Sequence, residues 1–219
     1  ILCTDKTGTL TIDKIVLERH LNVLGVEDDE VLKWAYLNSY HQTGLKNLLD
    51  VAVLEHGELH DSLGAEDFRK VDEIPFDFQR RRMSVILEHG HKHLLICKGA
   101  VEEMLNLCPR VFDPGEDQQL QIEMDDIIPI DDFMRQTILE TSRELNKEGL
   151  RVLLVAVKEF DERPLTYSIA DESNMIVAGF IGFLDPAKTT ARPSIEALQK
   201  LGVALKVLTG DNEIVTKKI

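Results

Sequence analysis

The stretch "ILCTDKTGTLT", residues 1–11, opens as an apolar run suited to a buried strand and then delivers Asp5 into a turn that contains Gly8. A second strand end of this kind, "VALKVLTGDN" at residues 203–212, follows the helix-spaced "PSIEALQKLG" at 193–202 and leads into a new helical pattern. Helix, strand, turn and helix make one α/β layer. Ligands of open parallel sheets gather outside the carboxyl ends of the strands, so Asp5 and Thr209-Gly210-Asp211 are expected to meet there.

Nearly the whole chain lies between these two strand ends, too long and too apolar for a loop, so it is expected to fold as an inserted domain. Helices are predicted at "DEVLKWAYLNSYH" (29–41), at "LKNLLDVAVLEHG" (45–57) and after Gly99 through "AVEEMLNLC". A strand at "FRKVDEIPF" precedes a hairpin at "RMSVILEHGHKHLLICKG". Beyond an acidic stretch from Asp113 to Asp132, "FMRQTILETSRELNKEG" reads as an amphipathic helix, and "LRVLLVAVKEF" and "MIVAGFIGFLD" as strands. The predicted class is α/β (α+β), an antiparallel sheet with packed helices.

A formal net charge of −14 over 219 residues argues against a nucleic-acid binder, because phosphate backbones are held by Lys and Arg. Cys3, Cys97 and Cys108 lack metal-ligand spacing and sit among Leu, Ile and Val, so all three are expected to be buried thiols in a reducing compartment. No run approaches the roughly 18 apolar residues of a membrane helix, and the chain is expected to be soluble. Its strand-like opening and unfinished carboxyl-terminal helix suggest a piece excised from a larger protein.

An aspartate can act as a nucleophile toward a phosphoryl group, and it can ligate Mg²⁺. Thr7 adds a carbonyl for the metal and a hydroxyl for phosphoryl oxygens. A bare Asp-x-Thr is equally an Asx-type turn at a strand end. The full string "DKTGTLT" (5–11) resembles the phosphorylation signature of P-type ATPases, and the resemblance runs from end to end. Lys98-Gly99-Ala100-Val101-Glu102 matches the family's KGAPE, with Val101 in place of Pro; Asp185-Pro186-Ala187-Lys188 matches its hinge; Thr209-Gly210-Asp211 matches its TGD; and "GLRVL" at 149–153 carries Arg151. "LNSYHQTGLKNLLDVAVLE", "DEIPFDFQRRRMSV" and "ADESNMIVAGFIGFLDP" resemble the bacterial magnesium-transporting members more narrowly.

The resemblance implies a Rossmann-like haloacid-dehalogenase phosphorylation domain, residues 1–12 and 185–219, interrupted by a nucleotide-binding domain at 13–184. It implies catalytic roles for Asp5, Lys6, Thr7, Thr209, Gly210 and Asp211, with Asp5 and Thr7 also holding Mg²⁺. It places ATP on Asp50, Phe76, Arg81, Lys98, Gly99, Arg151 and Asp185. It further implies a multi-pass membrane pump, with this portion cytoplasmic, whose partners are ATP, the transported Mg²⁺ and the pump's own membrane helices, and no nucleic acid. An aromatic face, an acid and several cations also suit a nucleotide on chemical grounds alone. In a regular strand Phe76 and Arg81 would point to opposite faces, so a bulge or turn is expected between them.

Plainer readings stand beside these. Phe76 and Phe78 alternate as core residues do, and Arg80-Arg81-Arg82 reads as a solvated face. His89, His91 and His93 read as exposed histidines at a hairpin tip, and Trp34 and Tyr36 as packing. A P-type ATPase of other cation specificity, a soluble aspartate-nucleophile phosphatase with a large cap and a pure binding module are the alternative functions.

Overall fold

The computed structural model describes residues 1–6, 8–12, 14–43, 46–57, 64–113, 127–160, 162–163 and 166–209. Its strands are β1 (Leu2–Asp5), β2 (Val16–Leu21), β3 (Arg69–Asp77), β4 (Arg82–His89), β5 (Lys92–Gly99), β6 (Arg110–Phe112), β7 (Ile127–Pro129), β8 (Arg151–Phe160), β9 (Ile176–Leu184) and β10 (Leu205–Leu208). The helices are α1 (Asp29–His41), α2 (Leu48–Gly57), α3 (Val101–Leu105), α4 (Asp132–Lys147) and α5 (Ala191–Lys200).

Among the described residues the strands form two sheets. In the large one, β3-β4-β5-β8-β9-β6-β7 follow in order, with β2 sharing the outer edge of β9 with β6. All its pairings are antiparallel except β6 with β9. The small sheet pairs β1 with β10 in parallel, Leu2 opposite Leu205 and Asp5 opposite Leu208. A parallel pair needs a long crossover, and here that crossover is the whole large sheet with its helices.

Antiparallel sheets usually leave one face to water, yet Met83–Leu87 and His93–Gly99 are buried without a break. Both faces are covered in this region. Met83, Val85, Leu87, Leu94 and Ile96 pack with Val31, Leu32 and Ala35 of α1 and Ala52 and Val53 of α2. Ile86, Leu95, Cys97, Leu154 and Ala156 pack with Val101 and Met104 of α3 and Ile138 and Leu145 of α4. Helix starts are fixed locally: the Asp28 carboxylate accepts the Glu30 N–H at 2.9 Å, and the Asp131 carboxylate accepts that of Met134 at 2.7 Å.

Some expectations need correction. Cys97 and Cys108 are buried, which pushes the Cys97 thiol up to about 12 and the Cys108 thiol higher still, but Cys3 is exposed. A cysteine on a short strand of a two-stranded sheet has little to bury it. His91 is exposed as expected; His89, also exposed, stacks on Phe68 with centroids 4.5 Å apart, and His93 is buried against Tyr167. Trp34 and Tyr36 pack against the core. Thr7, the helical pattern after Leu208 and most of the acidic stretch lie outside the described residues.

Candidate functional site

One end of the large sheet gathers most of the residues singled out for nucleotide binding. There β3 ends at Asp77, β4 begins at Arg82, β5 ends at Gly99, β8 begins at Arg151, and β9 ends just before Asp185. Across the strands Asp77 lies opposite Arg82, Arg82 opposite Gly99, Gly99 opposite Leu154, and Arg151 opposite Phe183.

The conflict between Phe76 and Arg81 is resolved by a register shift after Ile74 and a tight turn. The Asp77 carboxylate accepts the N–H groups of Arg80 at 2.9 Å and Gln79 at 2.7 Å, and these bonds hold its pKa below the usual aspartate value. Arg81 closes the turn in the left-handed region, φ 51°, with its N–H 2.7 Å from the Asp77 carbonyl. Phe76 and Phe78 are not core residues: both are exposed, Phe78 by 89%, and they meet edge to face with centroids 5.2 Å apart. The Arg81 side chain reaches Glu103 at 2.8 Å.

Gly99 is required by close approach, because a Cβ there would lie 2.5 Å from Arg82 Cβ and 2.8 Å from the Arg81 carbonyl oxygen. Neither atom is the end of a flexible chain. Gly99→Ala is therefore expected to cost about 1–3 kcal/mol in urea unfolding and to shift the Arg81 and Arg82 amide resonances. A cost below about 0.5 kcal/mol with unmoved resonances would show that the turn gives way freely.

Lys98 and Asp50, both expected in the nucleotide pocket, are ion-pair partners. Lys98 points from β5 into the α1/α2 layer, 4% exposed, and its ammonium donates to Asp50 Oδ1 and Ser39 Oγ. Asp50 sits in the first turn of α2, where the Asn47 side chain accepts its N–H at 3.0 Å. Ser39 donates to Asp50 Oδ1 at 3.1 Å, and Gln42, with its amide nitrogen turned inward, donates to Oδ2 at 3.0 Å. Burial lowers the Lys98 pKa, and Asp50 opposes that shift. Near this layer, Glu73 would be raised by burial, but hydrogen bonds from Lys70 at 2.6 Å and Thr43 at 2.6 Å outweigh it and lower its pKa.

The small sheet presents the second group. Asp5 ends β1 opposite Leu208, so Thr209 follows at the same carboxyl edge, as the topology of the strand ends predicts. The Asp5 residue is exposed, and its Oδ1 accepts the Lys6 N–H at 2.8 Å. The loop beyond closes on itself: the Lys6 carbonyl accepts from Leu10 at 2.9 Å, and Gly8, at φ 75°, donates its N–H to Thr11 Oγ1 at 3.2 Å. Lys6 points inward, 1% exposed, 3.2 Å from Asp185. Gly210 and Asp211 lie outside the described residues, so their place beside Asp5 is not described. An exposed carboxylate suits a hard cation such as Mg²⁺. Among the described residues no group of three or more His, Cys, Asp or Glu gathers that could hold a metal ion.

Sequence reasoning missed Glu172. It is buried and binds Arg80, Arg82 and Ser84, so two of the three arginines read as a solvated face are engaged inside the protein. Only Arg81 is exposed. Nothing local to "ADESN" distinguishes that glutamate.

Residues 22–190 match the family model for the P-type ATPase cytoplasmic domain N, and the chain belongs to that family. Within it, the chain is similar to two magnesium transporters. Magnesium-transporting ATPase, P-type 1 of Escherichia coli (strain K12) is 49% identical over 221 residues, covering 100% of this chain and 24% of that protein. Its namesake from Salmonella typhimurium (strain LT2) is 48% identical over 224 residues, covering 100% and 23%. Calcium-transporting ATPase 1 of Bacillus cereus is 28% identical over 235 residues, covering 97% and 25%. The chain thus spans about a quarter of the length of these curated relatives.

Proposed function

We propose that this chain is the ATP-binding cytoplasmic portion of a magnesium-transporting P-type ATPase. Residues 13–184 hold the nucleotide, and residues 1–12 and 185–219 belong to the Rossmann-like phosphorylation domain into which they are inserted. The observation that carries this reading is the gathering of Phe76, Arg81, Gly99, Arg151 and Asp185 at one sheet end. Magnesium as the transported ion is supported by the names of relatives at 49% and 48% identity, against 28% for the calcium transporter. Among the described residues no helix is long and apolar enough to cross a membrane, so ion movement is assigned to membrane helices elsewhere in the pump.

In this reading Phe76 offers adenine an exposed face, and Arg81 and Arg151 bring cations to an otherwise acidic chain. In the intact pump, rather than in this portion by itself, Asp5 attacks the γ-phosphorus of ATP in line; the bond to the β,γ-bridging oxygen breaks, ADP leaves with that electron pair, and an aspartyl-phosphate remains. Water then hydrolyses the acyl phosphate and restores the carboxylate. Thr209 and Gly210 hold phosphoryl oxygens, while Asp5 and Thr7 would hold the Mg²⁺ that offsets charge on the transferred group.

Titrating ATP into the protein while following backbone NMR resonances tests the site. Perturbations are expected at Phe76, Arg81 and Gly99, and Phe76→Ala should weaken binding roughly tenfold, the worth of one aromatic stack. Shifts confined to other regions, or unchanged affinity in Phe76→Ala, would overturn the assignment.

A further inference from the structure

Glu172 stands just past a 3-10 turn, Ile169–Asp171, in the segment that leads into β9, and it is 1% exposed. A buried carboxylate needs several donors, and here, among the described residues, they come from the β3–β4 turn and from β4 itself. Arg80 gives Nη1–H to both carboxylate oxygens, at 2.8 and 2.7 Å; Arg82 Nε donates at 2.7 Å and Ser84 Oγ at 2.8 Å. These partners are 88 to 92 residues away in sequence.

The other prong of the Arg80 guanidinium, Nη2–H, donates to the Pro75 carbonyl oxygen. That carbonyl belongs to the peptide that joins Pro75 to Phe76. A guanidinium is a planar fork, so anchoring one prong on Glu172 fixes where the other can point. The same turn is also held by Ala100, whose N–H donates to the Arg81 carbonyl at 3.0 Å. The turn is thus clamped twice, on Glu172 and on the strand that ends at Gly99.

Phe76 and Phe78 lack such support from their own packing, since both rings are exposed, Phe76 on the edge strand β3 and Phe78 in the turn after it. An exposed ring offered to a ligand keeps one direction only if its backbone is held. We propose that Glu172 is a positioning residue for the nucleotide site: it fixes Arg80, Arg80 fixes the Pro75–Phe76 peptide, and the Phe76 ring and Arg81 are thereby aimed together. This rests on the nucleotide-binding reading given above.

The test is a double-mutant cycle on the whole chain, with ATP affinity and thermal unfolding measured on each variant. Glu172→Gln keeps the shape and removes the charge, and in folded protein it is expected to weaken ATP binding about tenfold. In a Phe76→Ala background the same change should weaken binding less than about twofold, because the ring it aims is gone. Arg80→Lys keeps a cation beside Glu172 but cannot reach both partners; it should weaken ATP binding similarly, and it supplies the answer if Glu172→Gln does not fold. Lowered melting temperature with unchanged affinity in the folded variants would overturn the positioning role while leaving the site itself intact. So would equal, additive losses with and without Phe76. If the wild-type chain bound no ATP, the nucleotide reading would fall and the positioning role with it.

Discussion

Asp50→Asn is expected to destabilise the large sheet by up to about 5 kcal/mol at pH 7 but by only about 2 kcal/mol at pH 9. Lys98 is buried between β5 and the α1/α2 layer, and Asp50 is the charge that offsets its desolvation. With asparagine in its place the ammonium has no counter-charge, and giving up its proton is the cheaper course. The cost of that deprotonation in the folded state is the distance from the ordinary lysine value of 10.5 down to the working pH, at about 1.4 kcal/mol per pH unit. The sign follows from proton counting. Lys98 has a folded pKa below its unfolded one, so between the two values the unfolded chain binds more protons and stability rises with pH. Asp50→Asn lowers the folded value further and steepens that rise. Urea unfolding of wild type and variant at pH 7, 8 and 9 measures the difference, and a deficit that does not shrink with pH would refute the account. Lys98→Met added to Asp50→Asn should recover most of the lost stability, because no buried charge is then left without a partner.

That pair also marks where the sequence stops being legible. Local signals carried far: the helix predicted at 29–41 is α1 to the residue, and the hairpin at 82–99 is β4 and β5. Both rest on periodicity and caps, which act within a few residues. β2 was not anticipated, because Glu18 and Arg19 break the apolar pattern of "VLERHL", and its place is fixed by distant pairing with β9, Val16 opposite Leu184 and Leu21 opposite Phe180. β6 and β7 have three residues each, too few for any period. The same division holds in the candidate site. The family resemblance pointed to Asp50, Phe76, Arg81 and Lys98, whose residue types also suit a nucleotide, and the need for a turn between Phe76 and Arg81 was legible from strand geometry. That Lys98 bonds to Asp50, or that Glu172 takes Arg80 and Arg82, depends on which strands and helices become neighbours. Register is long-range information.

Lys6→Met should open the junction between the two sheets without unfolding the larger one. Both carboxylate oxygens of Asp185 are buried with no hydrogen-bond partner among the described residues, and its ion partner is the Lys6 ammonium at 3.2 Å, outside hydrogen-bond geometry. Removing one member of a buried pair typically costs about 3–5 kcal/mol, because the other charge is left uncompensated. That cost falls on a two-stranded sheet whose Leu2 and Leu208, at opposite ends of the β1–β10 pair, are exposed. Beyond Lys6, the loop is tied to the end of β9 by Ile12 N–H to the Pro186 carbonyl at 2.9 Å, Lys188 N–H to the Leu10 carbonyl at 2.8 Å and Lys188 Nζ to the Gly8 carbonyl. Amide exchange at Ile12 and Lys188 should therefore speed up by about 10²–10⁴ in Lys6→Met, what 3–5 kcal/mol converts to at about 1.4 kcal/mol per factor of ten, while Val85 and Ile96 in the core strands keep their protection. Acceleration spread evenly over both sheets would mean that the pair supports the whole fold. No acceleration would mean that Asp185 finds another partner. Asp185→Leu added to Lys6→Met removes the stranded carboxylate and should slow exchange again. A local result has a mechanical consequence for the proposed pump, because the loop after Asp5 is then held to the end of the large sheet by a buried ion pair and the hydrogen bonds that depend on it, and movement of either side reaches the other through them.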